Sequence, residues 1–151
     1  MPPATSRVRS ASAEPTWSRG DLAGLMRAGI NYRHSGRFEE AREIFSAIRS
    51  LYPSEQNGEI GLGSTCFSEG QFEAAIGHYR EALKLKPCDA YAYALLGESE
   101  IFLGNASAAR VSLGRACEID PKGPYGRLAQ SLLTLLEFLP KREFPKQDWS
   151  I

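Results

Sequence analysis

The sequence predicts an all-α fold, a solenoid of three helix–turn–helix repeats followed by a C-terminal capping helix. Three observations predict it. Four columns recur at a spacing of 34 residues: Gly29, Gly63, Gly97; Gly36, Gly70, Gly104; Ala41, Ala75, Ala109; and Pro53, Pro87, Pro121. Gly makes up roughly 7% and Pro about 5% of ordinary sequences, so four columns in one fixed register are not accidental. Each 34-residue unit also divides into two helical stretches with a glycine between them and a proline after them. Finally, 151 residues with 42% apolar and 10% aromatic side chains suit one packed domain.

Taken in order, residues 1–20 are rich in Pro, Ala, Ser and Arg and bury too little apolar surface to hold one conformation, so they are expected to be disordered. Trp17 is the exception, free to fold back on the first helix or to anchor a partner. The repeats then occupy 21–123, as copies 22–55, 56–89 and 90–123. In the second copy the helices are expected at about 56–69 and 72–85, with Gly70 and Gln71 as the turn and Pro87 beyond the second helix. Gly suits the left-handed residue past a helix end, whereas Pro has no N–H and cannot continue a helix. Asp21, Ser54 and Asp89 are expected to cap first helices, and Asn105 the last second helix. Gly29, Gly63 and Gly97 fall inside first helices, where Gly costs up to about 1 kcal/mol relative to Ala. Close approach of the partner helix carrying Ala41, Ala75 or Ala109 is the expected cause.

Pro124 opens a final helix to about Leu139, with Leu128, Leu132, Leu135, Leu136 and Leu139 as an apolar stripe that covers the end of the array. A polar tail, 140–151, contains Phe144 and Trp149.

The columns resemble the tetratricopeptide (TPR) repeat, W-x2-L-G-x2-Y, then A-x3-F, then P. The first copy has Leu25, Ala28, Gly29, Tyr32, Ala41, Phe45 and Pro53; the second has Glu59, Leu62, Gly63, Cys66, Ala75, Tyr79 and Pro87; the third has Tyr93, Leu96, Gly97, Glu100, Ala109, Leu113 and Pro121. Ala28 stands in the Leu column, Glu59 in the Trp column and Glu100 in the Tyr column, departures expected to loosen packing locally. The resemblance implies a right-handed superhelical TPR solenoid.

Composition excludes several functions. Eighteen basic and eighteen acidic residues cancel. Residues 1–20 hold three Arg against one Glu, and 140–151 three basic against two acidic residues, which leaves the repeat body net acidic. That argues against nucleic acid, whose phosphates need a basic face. No apolar run approaches the roughly 18–20 residues of a spanning helix, and Met1–Ser10 lacks a signal-peptide core, so the expectation is a cytoplasmic protein without membrane insertion. Cys66, Cys88 and Cys117 are odd in number and lack ligand spacing, so neither a disulfide framework nor a metal site is indicated.

In TPR proteins the concave surface is lined by first-helix positions 2, 5, 6, 9, 12 and 13. Carried onto this chain, those positions give a largely apolar set, from which Met26, Ile30, Ile60, Phe67, Tyr91, Leu95 and Phe102 are the candidate contacts, with Arg33 and Glu98 orienting at the edges. A contiguous apolar patch marks an interaction site, here one for a peptide that inserts hydrophobic side chains. The carboxylate clamp of TPR co-chaperones needs Lys, Asn and Arg, and the corresponding places hold Met26, Ile30, Gly61, Tyr91 and Leu95. That clamp is absent.

The stretch Ile60-Gly61-Leu62-Gly63-Ser64-Thr65-Cys66, followed by Gly70-Gln71-Phe72-Glu73-Ala74-Ala75-Ile76, is similar to the middle repeat of type III secretion chaperones of the LcrH/SycD group. The resemblance spans about 22–121. It implies a small cytosolic protein that keeps hydrophobic translocator proteins soluble before export, with a protein or peptide client and no cofactor. The alternative is an assembly scaffold within a larger complex, and a homodimer through the first repeat or the terminal helix remains open.

Catalysis is not expected. His34 and His78 have no Ser, Cys or Asp constellation in sequence, Glu39-Glu40 reads as solvated helix surface, and Gly61-Leu62-Gly63 lacks the third Gly of a phosphate loop.

Overall fold

The structure, a computed structural model, describes residues 18–139; the expectations for the N-terminal segment through Trp17 and for the tail with Phe144 and Trp149 lie outside those residues. The described residues form seven α-helices and no strand: α1 (Arg19–His34), α2 (Phe38–Leu51), α3 (Asn57–Ser68), α4 (Phe72–Leu85), α5 (Ala90–Phe102), α6 (Ala106–Ile119) and α7 (Pro124–Phe138). Helices adjacent in sequence pack on one another, and α1 also touches α3 while α5 touches α7. That is the connectivity of stacked helical hairpins, each repeat meeting its neighbours.

Gly36, Gly70 and Gly104 take φ of 74°, 77° and 84°, a conformation a side chain would strain, and so end α1, α3 and α5 at the same point of each repeat. Two starts differ from expectation. Asp21 is not the cap of α1 but the third residue of a capping box: its N–H donates to Ser18 Oγ (3.2 Å), while the Ser18 N–H donates to Asp21 Oδ2 (2.7 Å). Ser18–Gly20 therefore belong to the start of α1 and not to the N-terminal segment. Ser54 caps nothing; Gln56 occupies the cap position of α3 without a side-chain cap bond, and its amide donates to the Asp89 carboxylate. Asp89 and Asn105 do cap α5 and α6, accepting from Tyr91 N (2.9 Å) and Ala108 N (3.2 Å).

The helix-interior glycines do answer to close approach of the partner helix, though the residue that comes closest is not the alanine. A Cβ on Gly29 would lie 2.7 Å from Phe45 Cζ, one on Gly63 2.7 Å from Tyr79 Cε1, and one on Gly97 2.6 Å from Leu113 Cγ. The obstacle is the large side chain four residues after each alanine, and Phe45, Tyr79 and Leu113 are all fully buried. Each first helix thus carries a notch that receives the bulkiest buried residue of its partner. Ala41, Ala75 and Ala109, each fully buried, complete the contact.

Glu59 and Glu100 do not loosen the packing. Both are buried, at 8% and 3% exposure, and each is tied to neighbouring helices. Glu59 Oε2 lies 2.7 Å from His78 Nδ1 and its Oε1 3.4 Å from Arg49, joining α2, α3 and α4. Glu100 accepts from Ser112 Oγ at 2.7 Å and faces Arg80 at 3.8 Å; burial outweighs both and holds its carboxyl above the usual range. Polar ties replace the aromatic and aliphatic contacts of those columns.

The stripe expected on α7 also divides differently. Ala129 and Leu136 are buried, with Leu132 and Leu133 partly so, while Leu128 and Leu135 are 42% and 47% exposed and Leu139 is exposed as well. The 34-residue register explains this, because α7 stands where the first helix of a fourth repeat would stand. Its positions 6 and 13, Ala129 and Leu136, join the buried cluster of α5 and α6, and positions 5 and 12, Leu128 and Leu135, stay exposed. Asp120 Oδ2 accepts from the N–H groups of Tyr125 (3.1 Å) and Gly126 (3.3 Å) and so fixes how α7 enters.

Candidate functional site

Met26, Ile30 and Arg33 recur at i, i+4 and i+7 and therefore share one face of α1. The first helix of the next repeat places Ile60, Ser64 and Phe67 in the same way, and α5 places Tyr91, Leu95, Glu98 and Phe102. A cavity of about 100 Å³ opens between these helices, lined among others by Met26, Ile30, Arg33, Ile60, Ser64 and Tyr91.

Phe45 also lines this cavity, although it belongs to a second helix. Its ring fits there because Gly29 on one side and Gly61 on the other both lack a Cβ, and a side chain at either would collide with it. One buried phenylalanine therefore serves as core residue and pocket wall. The A-x3-F column marks Phe45 for packing alone, and nothing in its local sequence signals the second role. Gln56 and Asn57, at the start of α3, also line it; Asn57 holds position 2 of its first helix, one of the expected concave positions, whereas Gln56 is outside them.

The candidate residues divide into two places. Met26, Ile30, Arg33, Ile60 and Tyr91 come together at the cavity, though Ile60 is itself largely buried in the central core. Phe67 and Phe102 do not line it. They meet Phe72 of α4 where α3 and α5 end, with ring centroids 5.1–5.3 Å apart, Phe67 edge-on to both others and Phe72 stacked on Phe102. Phe102 is 59% exposed, so the trio forms an open aromatic patch. Leu95 packs partly buried against the central core, and Glu98 follows it on the same face of α5.

The electrostatics are sparse. Arg33 donates to Ser68 Oγ at 3.3 Å and lies 3.4 Å from His34 Nε2, while its Nε is buried without a partner among the described residues. Glu98 is half-buried, and burial holds its carboxyl above the usual range. Burial, then the neighbouring Tyr125, likewise raises the Tyr91 hydroxyl. Beneath the groove, Tyr79 bonds Ser64 at 3.2 Å, and burial pushes its phenol up to about 12. Taken together, these features provide an apolar recess with isolated charges at its margin, suited to holding side chains.

The described residues include no group of three or more His, Cys, Asp or Glu arranged to hold a metal, and no helix among them is long and apolar enough to cross a membrane. The three cysteines are free thiols. His78, engaged with Glu59, has a structural role between α3 and α4.

Family models described as TPR repeat and tetratricopeptide repeat match residues 23–54, 63–99 and 90–122. No curated protein matches the chain in sequence. Among solved structures, the chain is similar to the Yersinia enterocolitica type III secretion translocator chaperone SycD, with a TM-score of 0.72 and 23% identity over 80% of this chain and 94% of that one. SycD in complex with a peptide of the translocator YopD gives 0.70 and 22% over 80% and 95%. A type III secretion complex from Aeromonas hydrophila gives 0.69 and 26% over 80% and 83%. Repeat matches over 23–54 and 63–122, together more than half of the chain, on seven helices packed as successive hairpins, make the chain a member of the tetratricopeptide-repeat family, similar in fold to the type III secretion translocator chaperones.

Proposed function

We propose that the chain is a non-catalytic, cytoplasmic chaperone of type III secretion that holds an apolar segment of a translocator-type protein in its concave groove. The observation that carries this reading is the recess walled by Met26, Ile30, Phe45, Ile60 and Tyr91, in a fold whose solved neighbours include SycD with a translocator peptide bound. Covering an aggregation-prone segment requires shape and apolar surface and no covalent step. Met26, Ile30, Ile60 and Tyr91 supply contacts at the recess, Phe67 and Phe102 supply them at the aromatic patch, Leu95 lies between, and Arg33 and Glu98 fix orientation.

The partner is a protein or peptide and neither nucleic acid nor a bilayer, in keeping with the net acidic repeat body. Affinity comes from the few aromatic and aliphatic anchors that become fully desolvated. Mass spectrometry of what co-purifies with the tagged chain from its native cell is the test. A co-purifying protein with long hydrophobic segments, insoluble when expressed alone and soluble with this chain, is the expected result. Recovery of only soluble complex subunits would instead assign the repeats to a scaffold.

A further inference from the structure

Resting on that reading, we infer that the concave face continues onto α7, and that the client segment it takes carries a basic side chain that seats against Glu98 beside an apolar residue held by Tyr125 and Leu128. Continuity comes first. Tyr91 of the groove lies against Tyr125 of α7, with ring centroids 4.8 Å apart and planes inclined by 39°. The repeat register puts Tyr125 at the helix position that Tyr91 holds in α5, Leu128 at that of Met26 in α1 and Ile60 in α3, and Leu135 at that of Arg33 and Phe67. Tyr125, Leu128 and Leu135 are all exposed, although α7 is docked through Ala129 and Leu136 on its other side. A helix needed only to close the array would present polar groups on its outer face. This one adds an apolar strip to the groove.

Charge then selects the occupant. Glu98 lies on the same face of α5 as Tyr91 and Leu95, is half-buried, and has no hydrogen-bond or ion-pair partner among the described residues. The other carboxylates drawn into the array differ: Glu59 has His78 and Arg49, Glu100 has Ser112 and Arg80, and Glu69 has Arg42. A desolvated carboxylate without a partner is unfavourable, and an ammonium or guanidinium brought in by a ligand relieves that cost. A purely apolar segment would bury Glu98 further without compensation. The chemistry that fits is therefore a Lys or Arg flanked by aliphatic or aromatic residues.

A displayed library of random 15-residue peptides, selected separately on the wild type, Glu98→Gln and Glu98→Lys, tests this before any client is identified. Peptides selected on the wild type are expected to be enriched in Lys or Arg between apolar residues, with the enrichment lost on Glu98→Gln and shifted toward Asp or Glu on Glu98→Lys. Changing the basic residue of the dominant peptide to Gln should weaken its binding about tenfold to the wild type and leave its binding to Glu98→Gln unchanged. Leu128→Ser with Leu135→Ser should weaken the same peptide about tenfold while preserving the preference for a basic residue.

The nearly isosteric Glu98→Gln keeps the test valid if Glu98→Lys fails to fold. A basic preference that survives Glu98→Gln, or is missing from the wild type, overturns the inference while the groove reading stands. Binders that are indifferent to Tyr91→Glu, or no binders at all, overturn the groove reading itself. A dimer of the peptide-free protein that the α7 double substitution breaks would assign that strip to a second copy of the chain, and so contradict the inference.

Discussion

Tyr79→Ala is expected to destabilise the chain by about 3–5 kcal/mol, the range for removing a large buried aromatic side chain. Tyr79 is fully buried, its ring fills the notch left by Gly63, and its hydroxyl bonds Ser64 at 3.2 Å. It also stands in the middle repeat, within the core cluster that joins α3 and α4 to α5. In a linear array stability comes from each repeat and its interfaces, so a void there weakens the middle hairpin and its junction with α5. Against a typical total of about 5–15 kcal/mol the loss is a large fraction. Urea unfolding followed by circular dichroism should show the unfolding free energy lowered by that amount, with a correspondingly lower midpoint. Tyr79→Phe, which removes only the hydroxyl, should cost about 1 kcal/mol. A Tyr79→Ala protein as stable as Tyr79→Phe would mean that the notch-and-ring contact does not hold the array together.

The second large effect is on binding. Phe67→Glu together with Tyr91→Glu is expected to reduce client retention at least about a hundredfold, since each replaces an aromatic anchor by a carboxylate that loses its hydration in the complex. Tyr91 lines the recess and Phe67 belongs to the aromatic patch, so the pair blocks both halves of the groove. Neither is fully buried, which keeps the cost to the fold well below that of Tyr79→Ala. A pull-down that retains the client undiminished with a folded double variant would place binding elsewhere.

How much of this is legible in the sequence depends on what each residue contacts. Turn glycines and proline stops act locally, so the 34-residue spacing of Gly36, Gly70 and Gly104 locates the hairpins to within a residue or two. Asp21 passes for a cap because Ser18-x-x-Asp21 forms a box that starts α1 earlier than the apolar pattern does. Phe45 escapes a groove reading based on first helices because its access to the recess depends on two glycines in two other helices, Gly29 and Gly61, whose juxtaposition no local pattern encodes.

Leucines on α7 mislead for a related reason. Leu128, Leu132, Leu133, Leu135, Leu136 and Leu139 cover more than one face, and only docking against α5 and α6 decides which face is inside. The buried acids Glu59 and Glu100 look like gaps because the partners that satisfy them lie 10–20 residues away on neighbouring helices.

The most direct test of the central claim follows backbone amide shifts of the isotopically labelled chain as a client segment recovered by co-purification is added. Residues of the concave face, Met26, Ile30, Ile60, Ser64 and Tyr91, should move together and saturate with one affinity. Shifts confined to exposed second-helix positions such as Ala47, Glu73 and Val111, with the groove unmoved, would contradict it.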